Sequence, residues 1–233
     1  MNQNEVKALV GRNAVETLVK SGMKLGLGTG STALPAVRHV GLLLREGKLT
    51  NIKAVSTSFQ TSMECEKWGI PLYTLNSGEI GGCLDLTIDG ADEVDKRLWC
   101  TKGGGGALLV EKITAYASAS FCVVIDESKL VENLGLTFPV PLEVVPEARR
   151  TVTLALEKLG ASVTLREALR KAGPVITEHG NILLDITFGG PVNCEELECE
   201  CKRIPGVVEN GFFTRVRPVV FVGRSGGTVD IKQ

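Results

Sequence analysis

Apolar residues early in the chain recur at Val6, Leu9, Val10, Ala14, Leu18 and Val19, the spacing of one helix face. This predicts a helix over residues 4–20, stopped by Ser21-Gly22. MKLGLG then reads as a short buried strand and GTGST as a turn. Residues 33–44 read as a helix with Pro35 in its first turn. The alternation continues with IKAVS as a strand, residues 59–68 as a helix, and IPLYTL and LDLTID as strands. Residues 107–119 read as a helix whose apolar face is Leu108, Leu109, Ile113 and Ala117, followed by the strand FCVVID. Strands alternating with helices predict right-handed βαβ units and a mostly parallel sheet covered on both faces. In such sheets ligands sit beyond the carboxyl ends of the strands. GTGST, STS, DGADE and DESK all follow predicted strands directly.

The pattern changes at FPVPLEVVP, where three prolines cluster. Beyond it come a helix (148–159), strands in SVTLR and NILLDITF, a helix (195–203) and a strand around Val207. The last strands, PVVFVG and TVDIK, are expected to return to the main sheet. The expected fold class is α/β: a Rossmann-like parallel-sheet domain of residues 1–137 and 210–233, with a smaller α+β lobe of residues 138–209 inserted.

Composition narrows the function. Hydrophobic residues are 43% and charged residues 23% of 233, ordinary for a globular chain. A formal net charge of −1 and 5% aromatic residues argue against nucleic acid as a partner. No apolar run approaches the roughly 20 residues of a membrane helix, and the first residues lack the apolar run of a secretory signal. Seven scattered cysteines are expected to be unbridged thiols in a reducing compartment, the cytoplasm. Cys194, Cys199 and Cys201 are the tightest group. They lack a CxxC pair and a nearby histidine, and Cys199 and Cys201 would point about 200° apart on a helix, so packing is preferred to zinc.

A strand, then Gly28-Thr29-Gly30-Ser31-Thr32, then a helix is an anion-binding arrangement. Glycines admit close approach, and the helix start offers N–H groups. No lysine precedes Ser31, which excludes a P-loop. GTGSTA fits GxGxxA, but the next strand ends in Ser56-Thr57-Ser58 rather than the acid a dinucleotide ribose needs. A single phosphate or sugar phosphate remains.

Asp89, Asp92 and Glu93 stand at the end of an apolar strand, where acids often only cap a turn. Ten residues past Asp92 comes Lys102, followed by four glycines; ordering such a run costs entropy and suits close backbone approach to something small. Glu111 follows in a helix, where a lone acid ordinarily faces solvent. Together these residues suit carbonyl migration in a sugar phosphate. One carboxylate moves the proton between C1 and C2, a lysine and N–H groups hold the enediolate oxygens, and a second acid/base opens the ring.

GLGTGST, STS, DGADE, KGGGGALLVEK and DESK, in this order, resemble the type A ribose-5-phosphate isomerase family. Length and motif order agree end to end, although sharp motifs stop near Val140. Lys102 lies 13 residues past Asp89 and Glu111 nine past Lys102, as in that family. The resemblance implies a ribose 5-phosphate–ribulose 5-phosphate isomerase of the non-oxidative pentose phosphate pathway. It needs no metal or other cofactor, and is a homodimer or homotetramer. It implies Glu111 as proton shuttle, Asp89 in ring opening, and Lys102 and Asp92 with the N–H groups of Gly103, Gly104 and Gly105 around O1 and O2. Thr29, Gly30, Ser31, Thr32, Gly90 and Ala91 would bind substrate, with Ser31, Thr32, Lys129 and Lys7 on the phosphate.

Two rivals remain from the sequence. An aminosugar-phosphate deaminase-like enzyme or a sugar-phosphate sensor would share the turn, although a sensor needs no proton-transfer carboxylate and this chain has no room for a DNA-binding segment before GTGST. An NAD-dependent oxidoreductase lacks its ribose acid.

Overall fold

The computed structural model describes residues 1–233. In chain order the elements are α1 (Gln3–Leu18), β1 (Lys24–Leu27), α2 (Leu34–Arg45), β2 (Lys53–Ser56), α3 (Phe59–Trp68) and β3 (Leu84–Asp89). Two short strands, β4 (Glu93–Val94) and β5 (Cys100–Thr101), precede α4 (Leu108–Tyr116) and β6 (Ser118–Asp126). Then come β7 (Val140–Val144), α5 (Arg149–Lys158), β8 (Ser162–Leu165), β9 (Ile182–Thr187) and α6 (Cys194–Arg203). The chain closes with β10 (Val207–Asn210), β11 (Phe212–Phe213), β12 (Val219–Gly223) and β13 (Val229–Lys232).

The chain divides into two compact units. The first holds Met1–Ala91, Val110–Lys129 and Val216–Gln233. Its sheet runs β13-β12-β6-β3-β1-β2, parallel from β12 to β2, with β13 antiparallel at the edge. The central strands are buried along most of their length, as a sheet covered on both faces requires. Val10 and Ala14 of α1 and Val37 and Val40 of α2 pack with Leu27, Ile88, Val124 and Phe221 of the sheet. Helix α1 starts in a capping box: Asn2 Oδ1 accepts from the Glu5 N–H at 3.0 Å, and Glu5 Oε2 from the Asn2 N–H at 2.8 Å. Helix α3 starts on Ser58 and stops at Gly69, whose φ of 72° suits glycine. Because the strands are parallel, the residues after β1, β2, β3 and β6 share one edge of this sheet.

The second unit holds Asp92–Leu109 and Leu130–Arg215. An antiparallel sheet, β10-β7-β9-β8, packs Leu142, Val144, Leu184 and Ile186 with Val152 and Leu156 of α5 and Leu197 of α6. A small sheet, β11-β5-β4, stands beside it in the same unit. Residues 92–109, 130–137 and 210–215, read from sequence as part of the parallel-sheet domain, lie in this unit, where β5 pairs with β4 and β11.

Three further expectations change. IPLYTL forms no strand: Ala54 donates to the Pro71 carbonyl and accepts from Tyr73 (3.0 and 2.8 Å), and the chain then turns at Thr74–Ser77. FPVPLEVVP, where no strand is expected, supplies the fully buried β7, with the Pro141 carbonyl accepting from the Gly211 N–H at 2.8 Å. Helix α4 ends at Tyr116, short of residue 119, and its expected apolar face holds only in part. Leu108 is fully buried, but Ile113 is 45% exposed, and Glu111, Lys112, Thr114 and Ala115 are buried as well.

No helix is long and apolar enough to cross a membrane, and no group of three or more His, Cys, Asp or Glu side chains is placed to hold a metal ion. No two cysteines are bridged; Cys83 and Cys199 are exposed and the other five buried. Burial pushes the Cys65 thiol up to about 12 and the Cys194 thiol up to about 11. Since the thiolate is the reactive form, a thiol-reactive dye at pH 8 should titrate only Cys83 and Cys199 in the native protein. Denaturant should release the remaining five, and rapid native labelling of Cys65 would contradict the packing described.

Candidate active site

The turn after β1 is built on Asp89, the last residue of β3. Asp89 is fully buried. Its Oδ1 accepts from the Thr29 N–H at 3.0 Å and the Gly90 N–H at 2.7 Å. A Cβ on Gly28 would lie 2.1 Å from that oxygen, so only glycine lets the turn come this close. The Thr29 hydroxyl lies 2.7 Å from both the Thr57 and Ser58 hydroxyls, and Thr61 Oγ1 donates to the Gly28 carbonyl at 2.8 Å. The STS motif thus anchors the turn from the neighbouring strand.

Past this anchor the turn opens. Gly30 has φ 90°, and its N–H donates to Gln60 Oε1 at 3.2 Å. Ser31 is exposed, Thr32 half-buried, and α2 begins two residues later, so its N–H groups and partial positive charge lie at this turn. Lys7, half-buried on α1, reaches it: Nζ donates to Ser31 Oγ at 2.9 Å. A cavity of about 520 Å³ adjoins Ser31, and Lys7, Arg12, Arg38 and His39 give it a basic lining without an acid.

The other residues of the first unit follow β3 and β6 or lie in α4. Gly90, buried, and Ala91, half-buried, continue from β3. Lys129 ends the short helical turn Glu127–Lys129 after β6 and is half-buried. Burial raises the Asp126 carboxyl, but Ser128 N–H and hydroxyl donors, the Gln3 amide and the Lys129 charge outweigh it and hold the group below the ordinary carboxylate range. Glu111, in the first turn of α4, is only 5% exposed. It is thus not the solvent-facing acid that a lone helical glutamate ordinarily is.

The second unit holds Asp92, Lys102 and the glycine run. Lys102 is 2% exposed, and its Nζ lies 5.7 Å from the centroid of the Phe213 ring. Asp92 Oδ2 accepts from the Gly104 N–H at 2.8 Å. A Cβ on Gly104 would sit 2.5 Å from Asp92 Oδ1, and one on Gly103 2.7 Å from Leu108 Cβ. Gly103 and Gly106 have φ of 97° and 83°. At Gly105, by contrast, a Cβ would meet nothing within 4 Å. Glu93, left without chemistry by the sequence, is a brace: its carboxylate accepts N–H bonds from Gly135, Thr137 and Phe138 at 2.6, 3.1 and 2.8 Å.

Sequence reasoning did not single out Gln60 or Arg166. Gln60 follows STS by two residues, a position its motif could have flagged. Arg166 follows β8 where no motif stands, and its guanidinium donates to the Gly103 and Gly104 carbonyls, both at 3.1 Å.

The first unit is that of an α/β protein with a glycine-rich turn that opens a helix at the carboxyl edge of a parallel sheet, held on the buried carboxylate of Asp89. The family described as Ribose 5-phosphate isomerase A (phosphoriboisomerase A) matches residues 53–227. A ribose-5-phosphate isomerase A of Treponema denticola is 50% identical, with 99% of each chain covered. That of Methanocaldococcus jannaschii is 44% identical over the full length of both, and its solved structure superposes with a TM-score of 0.91, covering 99% of this chain and 100% of that one. A D-ribose-5-phosphate isomerase solved in complex with phospho-erythronic acid is 37% identical, with a TM-score of 0.95 and 100% of each chain covered. The chain belongs to the ribose 5-phosphate isomerase A family.

The contact between Gly28 and Asp89 makes a sharp prediction. Gly28→Ala must displace the turn or the carboxylate, and overpacking of this kind costs about 1–3 kcal/mol. Urea unfolding should show that loss, and Gly22→Ala should not mimic its effect on activity. A Gly28→Ala protein with parental stability and turnover would mean the turn is not held on Asp89.

Proposed function

We propose that the chain interconverts D-ribose 5-phosphate and D-ribulose 5-phosphate through an enediolate. Family membership supports the reaction, and one observation carries the mechanism: the carboxylate of Glu111 is withdrawn from water. A charged side chain is buried at a cost, so such a group is a candidate for chemistry. Glu111 removes the proton from C2 of the aldose and returns it to C1. Asp89 serves ring opening through Oδ2, the oxygen that does not hold Thr29 and Gly90. Asp92 and Lys102, with the N–H groups of Gly103, Gly104 and Gly105, take O1 and O2 and the charge that develops there.

The phosphate belongs on Ser31 and Thr32 at the start of α2, with Lys7 and Lys129 as its cations. Gly30 and the Gly90-Ala91 backbone line the sugar. Thr29 shapes the turn, since its N–H and hydroxyl are committed within the unit. The unbridged thiols support a cytoplasmic location. Phe59 and Met63, 67% and 51% exposed on α3, support assembly into a homodimer or homotetramer.

In a coupled assay the chain should form ribulose 5-phosphate from ribose 5-phosphate without any nicotinamide cofactor. Lys102 supplies the cation, so turnover should survive EDTA; loss of activity restored by a divalent ion would count against this mechanism. Glu111→Gln keeps shape but cannot accept a C–H proton. Its turnover should fall by about 10²–10⁴-fold or more, while substrate binding, measured separately, persists. Deuterium placed at C2 should pass partly to solvent during parental turnover. Near-parental turnover in Glu111→Gln, or complete retention of the label at C1, would reject the enediolate route.

A further inference from the structure

Arg166 stands just after β8, and its guanidinium is locked in place. Nε donates to Asp185 Oδ2 at 2.8 Å, and Nη2 pairs with Asp185 Oδ1. The two side chains are 18% and 19% exposed, and the Arg166 N–H is tied to the Leu183 carbonyl at 3.0 Å. The remaining arm of the fork, Nη1, donates to two consecutive carbonyls, Gly103 and Gly104, both at 3.1 Å.

The consequence follows from peptide geometry. No peptide bond is cis, and in a trans peptide the C=O and the N–H point in opposite directions. Holding the Gly103 carbonyl therefore aims the Gly104 N–H away from Arg166, and that N–H is the one that donates to Asp92 Oδ2 at 2.8 Å. Holding the Gly104 carbonyl aims the Gly105 N–H away from Arg166 in the same manner. Gly105 is exposed, with space around it and no left-handed φ, so neither strain nor crowding requires glycine there. A cation on a carbonyl also polarises the peptide and strengthens its N–H as a donor.

We propose that Arg166, locked by Asp185, is a positioning residue for the isomerisation: it sets the peptide planes of the glycine run so that the Gly105 N–H meets the developing enediolate oxygen and the Gly104 N–H orients Asp92. This rests on the function proposed above. Lysine cannot reproduce the role, because an ammonium lacks the planar fork that grips Asp185 and two carbonyls at once.

The test compares Arg166→Lys and Asp185→Asn with the parent. Loss of an oxyanion donor costs about 10²–10³-fold in turnover, so kcat of Arg166→Lys should fall about 10²-fold while KM for ribose 5-phosphate stays within about threefold. Asp185→Asn keeps the arginine but loosens it, and should lose about tenfold in kcat. Phospho-erythronic acid, whose carboxylate presents two oxygens to the run, should weaken in parallel with kcat/KM. Inhibition by inorganic phosphate should not change. A purely structural role would instead lower the urea midpoint and affect phosphate and phospho-erythronic acid alike, and that result would overturn the proposal. Parental kcat in both variants would overturn it too. Should Arg166→Lys fail to fold, Asp185→Asn carries the same comparison. An inactive parent would reject the proposed function itself, whereas an active parent with unaffected variants would reject only this inference.

Discussion

Asp89 lies fully out of water, and one of its oxygens holds both its own next N–H and that of Thr29. A buried carboxylate is tolerated only where donors meet it, so this contact ties the end of β3 to the turn after β1. Much of the first unit is arranged around it. Gly28 must lack a side chain for the carboxylate to fit. The hydroxyls of Thr57, Ser58 and Thr61 hold the same turn from the β2 side. With the turn fixed on both flanks, Ser31 and the start of α2 are presented at the sheet edge without flexible hinges.

The second unit uses the same economy of donors in a different place. The glycine run is short of side chains, and its shape is imposed by groups that grip its backbone: Asp92 on one N–H, Arg166 on two carbonyls, and Gly211 on the Lys102 N–H. Glu93 does for residues 135–138 what Arg166 does for the run, with the signs reversed. Fixed dipoles of this kind need little rearrangement when charge develops nearby, which is the physical basis of electrostatic catalysis.

The parallel sheet was legible because buried strands and helices with regular apolar spacing leave long, repeated signals; α3 was placed to the residue. What was missed carries weak local signal. β4, β5 and β11 are two residues each, formed by pairing rather than by propensity. β7 was hidden by Pro141 within it and by Pro139 and Pro146 on either side. Helix α4 was only partly legible: Leu108 is buried as its spacing predicts, but Glu111 and Lys112 are buried too while Ile113 is exposed, which amphipathic spacing does not foresee. The glycine turn, acid cluster and lysine were visible as motifs, whereas Arg166 was not, because its relation to Gly103 spans 63 positions and is made by pairing of β8 with β9. The units also divide where the sequence shows no linker, since β4 and β5 side with β11.

The order β12-β6-β3 in the main sheet has a consequence in time. Strand β3 precedes β6 in the chain, so one edge of β6 has its partner already made, but its other edge must wait for β12, about 90 residues later in the chain. At synthesis rates of about 5–20 residues per second that edge stays open on the ribosome for roughly 5–20 s. During this interval FCVVID, apolar and almost without charge, presents unpaired backbone groups to whatever is near. The newborn chain is therefore most exposed to misassociation midway through its synthesis, and residues 130–215, the larger part of the second unit, are made while that edge is still open.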